Sequence, residues 1–106
     1  MPVLREQPTL SNFQQYVRDL EEERGFIDQT VLMKCLLMGE EVGELFRAIR
    51  KQEYIKMDKN GTQAGAIDEE LVDIFIYLCA IANRYGIDLE EAFRCKEVKN
   101  SQRRWE

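Results

Sequence analysis

The spacing of apolar residues constrains the fold most, because apolar side chains recur every three or four positions through most of the chain. The longest such segment runs from about Asp28 to Gln52. Its apolar stripe is formed by these side chains: Val31, Cys35, Met38, Val42, Leu45, Phe46 and Ile49. A period near 3.6 residues is typical of an α-helix with one buried face. No run alternates apolar and polar residues as a half-buried strand does, so the sequence predicts an all-α fold.

Capping signals mark the first helix. It is predicted over residues 9–25, where Ser11 and Gln14 have the spacing of a capping box and Gly25 ends the apolar pattern. After the second helix, residues 53–66 lose the helical period and contain an Asn-Gly turn signal. This segment is predicted to be a polar loop.

Two further helices are predicted beyond that loop. The third runs over about residues 66–85, and Gly86 suits its carboxyl-terminal cap. The fourth begins at Asp88, with Glu91 at capping-box distance. The chain therefore reads as a bundle of about four helices.

Two glycines interrupt the second predicted helix. Gly39 and Gly43 lie within its apolar stretch, although glycine destabilises a helix interior by roughly 0.5–1 kcal/mol relative to alanine. The pair predicts close approach of a neighbouring backbone segment at this point.

Length, charge and cysteine content restrict the class of protein. A chain of 106 residues predicts one compact domain over residues 1–106. Its net charge of −5 argues against binding to nucleic acid polymers or to anionic membranes. No secretory signal or membrane-spanning run is seen, and the three cysteines form no CxxC pair. The sequence predicts a cytoplasmic protein with reduced, mostly packed thiols.

Two acidic pairs repeat the same helical spacing. Glu41 and Glu44 are three positions apart, as are Glu70 and Asp73 on the third predicted helix. At about 100° per residue each pair shares one helix face, which on the second helix lies roughly 110° from the centre of the apolar stripe. Tyr77 follows on the face of Glu70. If the two helices pack antiparallel, four carboxylates meet at the border of the core.

Converging carboxylates require positive charge between them, because their repulsion otherwise raises their pKa values or separates the helices. Oxygen ligands favour Mg²⁺, with Mn²⁺ as an alternative. The chain has no histidine, which disfavours zinc and excludes the Glu-x-x-His pairs of di-iron bundles. Acidic pairs are also common on solvated helix faces, so an acidic face without a metal stays open as an alternative.

A basic face is predicted near the carboxyl end of the chain. Lys96, Asn100 and Arg103 share one face if the fourth helix continues that far. Such side chains bind and orient phosphate oxygens, although the helix dipole alone also favours basic residues at a helix end. Lys34 lies seven positions before Glu41 on the carboxylate face, as a phosphate contact or a counter-charge.

The acidic motifs resemble those of a known enzyme family. EEVGE (Glu40–Glu44) followed by ELVD (Glu70–Asp73) is similar to the paired EExxE and ExxD motifs of MazG-like nucleotide pyrophosphohydrolases. This family belongs to the all-α NTP pyrophosphatase superfamily, which includes the dCTP pyrophosphatases. The resemblance covers about Leu36 to Arg103 and includes the segment GIDLEEAF before the basic face.

The resemblance implies a four-helix bundle of MazG type that forms an obligate dimer or a dimer of dimers. It implies hydrolysis of nucleoside triphosphates, often deoxy, to monophosphate and pyrophosphate, in a role that sanitises the nucleotide pool. By analogy, Mg²⁺ would be held by four carboxylates: Glu41, Glu44, Glu70 and Asp73. The phosphates would lie near four other side chains: Tyr77, Lys96, Asn100 and Arg103. Glu40 or Glu41 would help to deprotonate the attacking water.

Two other functions fit the same residues. A non-catalytic helical module could bind a basic protein partner through its acidic face, with binding that weakens as salt rises. A nucleotide sensor could keep the metal site without turnover, and would bind nucleotide in the presence of Mg²⁺ without forming product.

Overall fold

The computed structural model describes residues 1–53 and 66–103. These residues contain four helices and no strand: α1 (Leu10–Arg24), α2 (Val31–Glu53), α3 (Ile67–Arg84) and α4 (Leu89–Ser101). The all-α prediction is therefore confirmed. None of the described helices is long and apolar enough to cross a membrane. The loop predicted over residues 53–66 falls, apart from its ends, outside the described residues.

The chain divides into two compact units. The first comprises Met1–Asp28 together with Cys79–Glu106, and the second comprises Gln29–Leu78. Helix α3 begins in the second unit and ends in the first. The acidic motifs of α2 and α3 thus belong to the second unit, whereas α4 belongs to the first.

The start of α1 is set by a reciprocal pair of hydrogen bonds. The Thr9 hydroxyl accepts from the backbone N–H of Asn12 at 3.2 Å, and the Thr9 N–H donates to the Asn12 side chain at 2.9 Å. The prediction of a capping box at Ser11 is therefore wrong, because the same motif forms two residues earlier. Gly25 ends α1 in the left-handed conformation with φ of 75°, as predicted.

The turn between α3 and α4 agrees with the predicted caps. Gly86 has a φ of 64°, the left-handed conformation that glycine adopts without a steric penalty. The Asp88 side chain accepts from the backbone N–H of Glu91 at 3.1 Å and begins α4. Local sequence chemistry therefore determines both helix ends here.

A small apolar core and a buried ion pair stabilise the first unit. Its buried apolar side chains are Val17, Leu20, Cys79, Ala80 and Ala82. Arg84 donates two hydrogen bonds to the Glu21 carboxylate, at 2.9 and 2.8 Å, and the Glu21 side chain is only 3% exposed. The same guanidinium donates to the carbonyl oxygens of Ala80 and Phe26, so it ties α3 to the end of α1.

A buried amide forms a second polar link in this unit. Gln14 Nε2 donates to Asn83 Oδ1 at 3.1 Å and to the carbonyl oxygen of Ile87 at 2.8 Å. Gln14 Oε1 accepts from the N–H of Leu89 at 2.9 Å, and Asn83 Nδ2 donates to the Gln14 carbonyl oxygen at 2.9 Å. The amide therefore uses both of its N–H groups and its oxygen in joining α1 to α3 and to the turn before α4.

In the second unit, α2 buries a different face from the one that its apolar pattern predicts. Its buried residues are Lys34 and Ala48, seven positions before and after Glu41. Phe46 is 64% exposed, and Ile49 is also exposed. The predicted stripe is therefore only partly buried in the single chain, since three of its seven side chains are exposed and four are half-buried: Val31, Met38, Val42 and Leu45. The face of Glu41 meets α3, and several apolar side chains on other faces of α2 stay exposed.

The two glycines of α2 have no close neighbour among the described residues of the single chain. A Cβ atom added at Gly39 or at Gly43 would meet none of their atoms within 4 Å, leaving aside the helix's own nearby backbone. The predicted close approach is therefore not made within the described part of the chain, and approach by a second copy stays a prediction. Both positions lie on an open side of α2.

The three cysteines are free thiols that differ in burial. Cys79 is fully buried, and this burial raises the pKa of its thiol to about 11. Cys35 and Cys95 are exposed, so the prediction of mostly packed thiols is wrong for these two.

We expect Glu21→Gln to lower the free energy of unfolding by about 3 kcal/mol, because it leaves the Arg84 guanidinium, whose side chain is 13% exposed, without its buried carboxylate partner. Chemical denaturation monitored by circular dichroism measures the change. Glu22→Gln is the matched control at an exposed neighbouring position and should stay within about 0.5 kcal/mol of wild type. Equal stability of the two variants would show that the ion pair has no net effect.

Candidate metal centre

Three carboxylates converge in the second unit. Glu41 comes from α2, and Glu70 and Asp73 come from successive turns of α3. One oxygen of each carboxylate lies within 4.8 Å of the other two. The convergence follows from sequence spacing, since residues three apart on a helix share one face.

The cluster is only partly buried, and one of its carboxylates is incompletely hydrogen-bonded. Glu70 is 8% exposed, and its Oε2 atom is buried without a hydrogen-bond partner among the described residues. Glu41 and Asp73 are more exposed than Glu70. Burial raises the pKa of the Glu41 carboxyl to about 7, with further contributions from its hydrogen bond to Glu70 and from the charges of Asp73, Glu70 and Glu44. Carboxylates in this arrangement need a shared proton or a cation.

The donor set fits a hard divalent cation. All three ligand groups are carboxylates, and Mg²⁺ and Mn²⁺ prefer such oxygen ligands. Their spread of up to 4.8 Å is close to the distance of about 4.2 Å between opposite oxygens of an octahedral Mg²⁺ shell. The unpartnered Oε2 of Glu70 supplies a lone pair that no protein donor uses among the described residues.

The remaining acidic residues of the α2 motif lie outside this group of three. Glu44 is exposed, and its carboxylate lies 4.0 Å from the Arg47 guanidinium. Its charge nevertheless contributes to the raised pKa of Glu41. Glu40 is exposed. The roles of Glu44 as a ligand and of Glu40 as a base stay predictions.

Lys34 and Tyr77 form a pair in the same unit. Lys34 is 4% exposed, and its Nζ atom lies 5.5 Å from the centre of the Tyr77 ring. Burial raises the pKa of the Tyr77 phenol, as do the negative charges of Glu41, Asp73 and Glu40. The tyrosine hydroxyl therefore lies within electrostatic reach of the carboxylates and stays protonated.

The predicted basic face lies in the first unit. Lys96 is exposed on α4, and Asn100 Nδ2 donates to Glu97 Oε1 at 3.0 Å. Helix α4 ends at Ser101, so Arg103 follows the helix instead of continuing its face. The phosphate contacts predicted for Lys96, Asn100 and Arg103 stay predictions.

One residue that supports the site was missed by sequence reasoning. The Thr30 hydroxyl accepts from the N–H of Met33 at 3.1 Å, and the Thr30 carbonyl accepts from the N–H of Lys34 at 3.0 Å. Thr30 thereby fixes the first turn of α2, from which Lys34 projects. A threonine directly before an apolar run was the available signal.

A model of the MazG nucleotide pyrophosphohydrolase domain matches residues 28–105. The chain belongs to this family. The MazG resemblance and the all-α MazG fold are thus confirmed. Enzymes of the family are metal-dependent, in agreement with the three converging carboxylates.

Two relatives are similar over most of this MazG chain. The uncharacterized protein YvdC of Bacillus subtilis (strain 168) is 25% identical over 100 residues, which cover 89% of this chain and 94% of that protein. The dCTP pyrophosphatase 1 of Bos taurus is 33% identical over 101 residues, which cover 92% of this chain and 60% of that protein. The MazG chain therefore spans less than two thirds of the bovine protein.

We expect the free energy of unfolding of the metal-free MazG chain to fall as pH rises from 4.5 to about 7. The Glu41 carboxyl holds its proton more tightly in the folded state. Its stabilising contribution is therefore complete below the unfolded pKa and is lost as pH rises through the folded pKa. Glu41→Gln should remove this part of the pH dependence, and denaturation in EDTA at about pH 5 and about pH 8 measures it.

Glu40→Gln, at the exposed neighbouring position, is the control and should keep the wild-type difference between the two pH values. An unchanged pH dependence in Glu41→Gln would contradict the crowding of the three carboxylates.

Proposed function

We propose that this protein is a Mg²⁺-dependent enzyme that hydrolyses nucleoside triphosphates, deoxy forms in particular, to nucleoside monophosphate and pyrophosphate. The observation that carries the proposal is the convergence of Glu41, Glu70 and Asp73 in a MazG chain, where the buried Oε2 atom of Glu70 has no hydrogen-bond partner among the described residues. The similarity to a dCTP pyrophosphatase makes dCTP the first substrate to test.

Glu41, Glu70 and Asp73 would hold the cation, with Glu44 as the fourth ligand and Mn²⁺ as a substitute for Mg²⁺. When bound, the cation would neutralise the triphosphate and stabilise the charge that develops during cleavage between the α and β phosphates. The three carboxylates would then share one positive centre, which relieves their mutual repulsion. The crowded cluster is thus suited to a bound cation.

Glu40 is the better candidate for the base. A carboxylate that ligates a cation has a lower proton affinity, which disfavours Glu41 in the loaded site. Glu40 is adjacent and exposed, and its charge reaches Tyr77. It would accept the proton of the attacking water. The proposed phosphate contacts are Tyr77, Lys96, Asn100 and Arg103. Lys34 lies beside Tyr77 as a phosphate contact or a counter-charge.

We further propose that the enzyme is a homodimer or a dimer of dimers that pairs through α2. On an exposed side of α2, five residues form a seam with alternating spacings of four and three: Leu32, Leu36, Gly39, Gly43 and Phe46. Leu36 is 66% exposed. This is the spacing at which two helices pack along a shared seam. In an antiparallel pair centred on the glycines, Leu36 of one copy would meet Phe46 of the other.

The second unit also has few apolar side chains of its own to bury. Among its described residues Ala48 is the one buried apolar side chain. A second copy on the α2 seam would cover the large apolar side chains that the single chain leaves in water, and small isolated cores gain much stability from such association.

We also infer a cytoplasmic location and a role in sanitising the nucleotide pool. Two exposed free thiols suit a reducing compartment. The net charge of −5 disfavours nucleic acid polymers and anionic membranes as partners.

We expect incubation with common and deoxy nucleoside triphosphates to yield monophosphate and pyrophosphate with Mg²⁺ and no product with EDTA. Glu70→Gln and Asp73→Asn should each reduce kcat/KM by at least about 100-fold, since loss of an outer partner of a metal ligand already reduces activity about 10- to 100-fold. Chromatographic separation of the products measures both effects. Glu69→Gln, exposed and next to Glu70, should retain activity.

Diphosphate and phosphate as products would contradict the proposed cleavage position. Mg²⁺-dependent nucleotide binding without product would favour the nucleotide sensor. Binding of a basic protein that weakens with salt, again without product, would favour the interaction module.

We expect wild-type protein to sediment as two or four chains, and Phe46→Lys or Leu36→Lys to shift it toward one chain. A charge in the seam would have to be buried without a partner. Analytical ultracentrifugation measures the mass. Gln52→Lys adds the same charge to α2 outside the seam and should leave the assembly intact. Unchanged assembly in both seam variants would exclude this surface as the interface.

A further inference from the structure

The Lys34 side chain is buried where a substrate contact would need access. It is 4% exposed and lies on the face of α2 that also carries Glu41. An ammonium group so far from solvent is rare in proteins. The role of the Lys34 ammonium group therefore depends on its contacts inside the protein.

One of its contacts is with the ring of Tyr77 on α3. Lys34 Nζ lies 5.5 Å from the centre of the Tyr77 ring, which is within the range of an attractive cation–π contact. Such contacts are stronger when the cation is withdrawn from water. The contact joins α2 to α3 two helical turns from Glu41.

Tyr77 stands on the face of α3 that carries the metal-binding residues. It is four positions after Asp73 and seven after Glu70, and both spacings return to the same helix face. The charges of Glu41, Asp73 and Glu40 all act on its phenol. The ring thus has Lys34 above it, while its hydroxyl group lies within electrostatic reach of the carboxylate cluster.

We propose that Lys34 is a positioning residue, whose buried ammonium group holds the Tyr77 ring so that the tyrosine hydroxyl is directed to the substrate phosphates. The inference rests on the proposed function for the role of Tyr77. It replaces direct phosphate binding by Lys34 with an indirect action through the aromatic ring. Tyr77 acts as a hydrogen-bond donor, and Lys34 restricts the orientations that its ring adopts.

A double-mutant cycle tests the proposal. Lys34→Met should lower kcat/KM for dCTP by about 3- to 30-fold, the range that a buried cation–π contact corresponds to. Tyr77→Phe keeps the ring but removes the hydroxyl group. In the Tyr77→Phe background Lys34→Met should have almost no further effect, because no hydroxyl group is left to position. Lys34→Arg retains a cation that can lie over the ring and should recover most of the activity.

Two results would overturn the proposal. An equal loss from Lys34→Met in both backgrounds would mean that Lys34 acts independently of the hydroxyl group, as a phosphate ligand or a purely structural residue. If Lys34→Met has wild-type kinetics, Lys34 has no role in positioning Tyr77 or in binding phosphate. If Lys34→Met does not fold, Lys34→Gln enters the same cycle, because it keeps a polar side chain of similar length without charge.

A second measurement does not depend on turnover. In protein with ¹³C-labelled tyrosine, the Tyr77 ring resonance is identified by its absence in Tyr77→Phe. Lys34→Met should shift this resonance in metal-free protein, and Lys34→Arg should shift it less. An unmoved resonance would overturn the positioning role. If Lys34→Met shifts the resonance but the wild-type protein hydrolyses no nucleotide, the contact between Lys34 and Tyr77 is supported and the proposed function is contradicted.

Discussion

Repulsion among three converging carboxylates is the constraint on which the second unit depends. Glu41, Glu70 and Asp73 share a space of less than 5 Å, and the buried Oε2 atom of Glu70 has no hydrogen-bond partner among the described residues. The folded chain compensates by holding a proton on Glu41 well above the ordinary pKa of a glutamate. The side of α2 that meets α3 is thus a side that carries charge.

The two units treat buried polar groups in opposite ways. In the first unit, Glu21 is matched by both nitrogens of a guanidinium, and the Gln14 amide bonds to three groups. Such extensive pairing stabilises one arrangement of these side chains. In the second unit the Glu70 carboxylate is incompletely satisfied. The polar network of the first unit is structural, whereas that of the second unit is suited to binding a ligand. A binding site needs donor or acceptor atoms that are not already hydrogen-bonded within the protein.

Much of the fold and part of the site could be predicted from the sequence. The helix ends at Gly25, Gly86 and Asp88 follow from local backbone chemistry, and the pairing of Glu70 with Asp73 follows from helical spacing. The burial of α2 could not be predicted in the same way. Periodicity identifies side chains that avoid water, but it does not reveal whether the same chain or a second copy covers them.

Two further features could not be predicted from the sequence: the absence of Glu44 from the cluster and the position of Arg103. Neighbours on a helix face differ by tens of degrees in direction, so the rotation of α2 decides which carboxylate reaches the centre. Arg103 shares a face with Asn100 only if the helix continues, and α4 ends two residues too early. Both outcomes depend on packing, which a single sequence does not specify.

The three thiols differ in exposure, so their reaction rates report local unfolding of the protein. Cys35 and Cys95 are exposed and would react at once with a soluble thiol reagent, whereas Cys79 is fully buried and its raised pKa keeps it in the unreactive thiol form. Cys79 lies on α3 where the two compact units divide. A reagent can therefore modify Cys79 only after local unfolding exposes this part of α3. The rate of that slow reaction measures how often the native chain opens there without any denaturant.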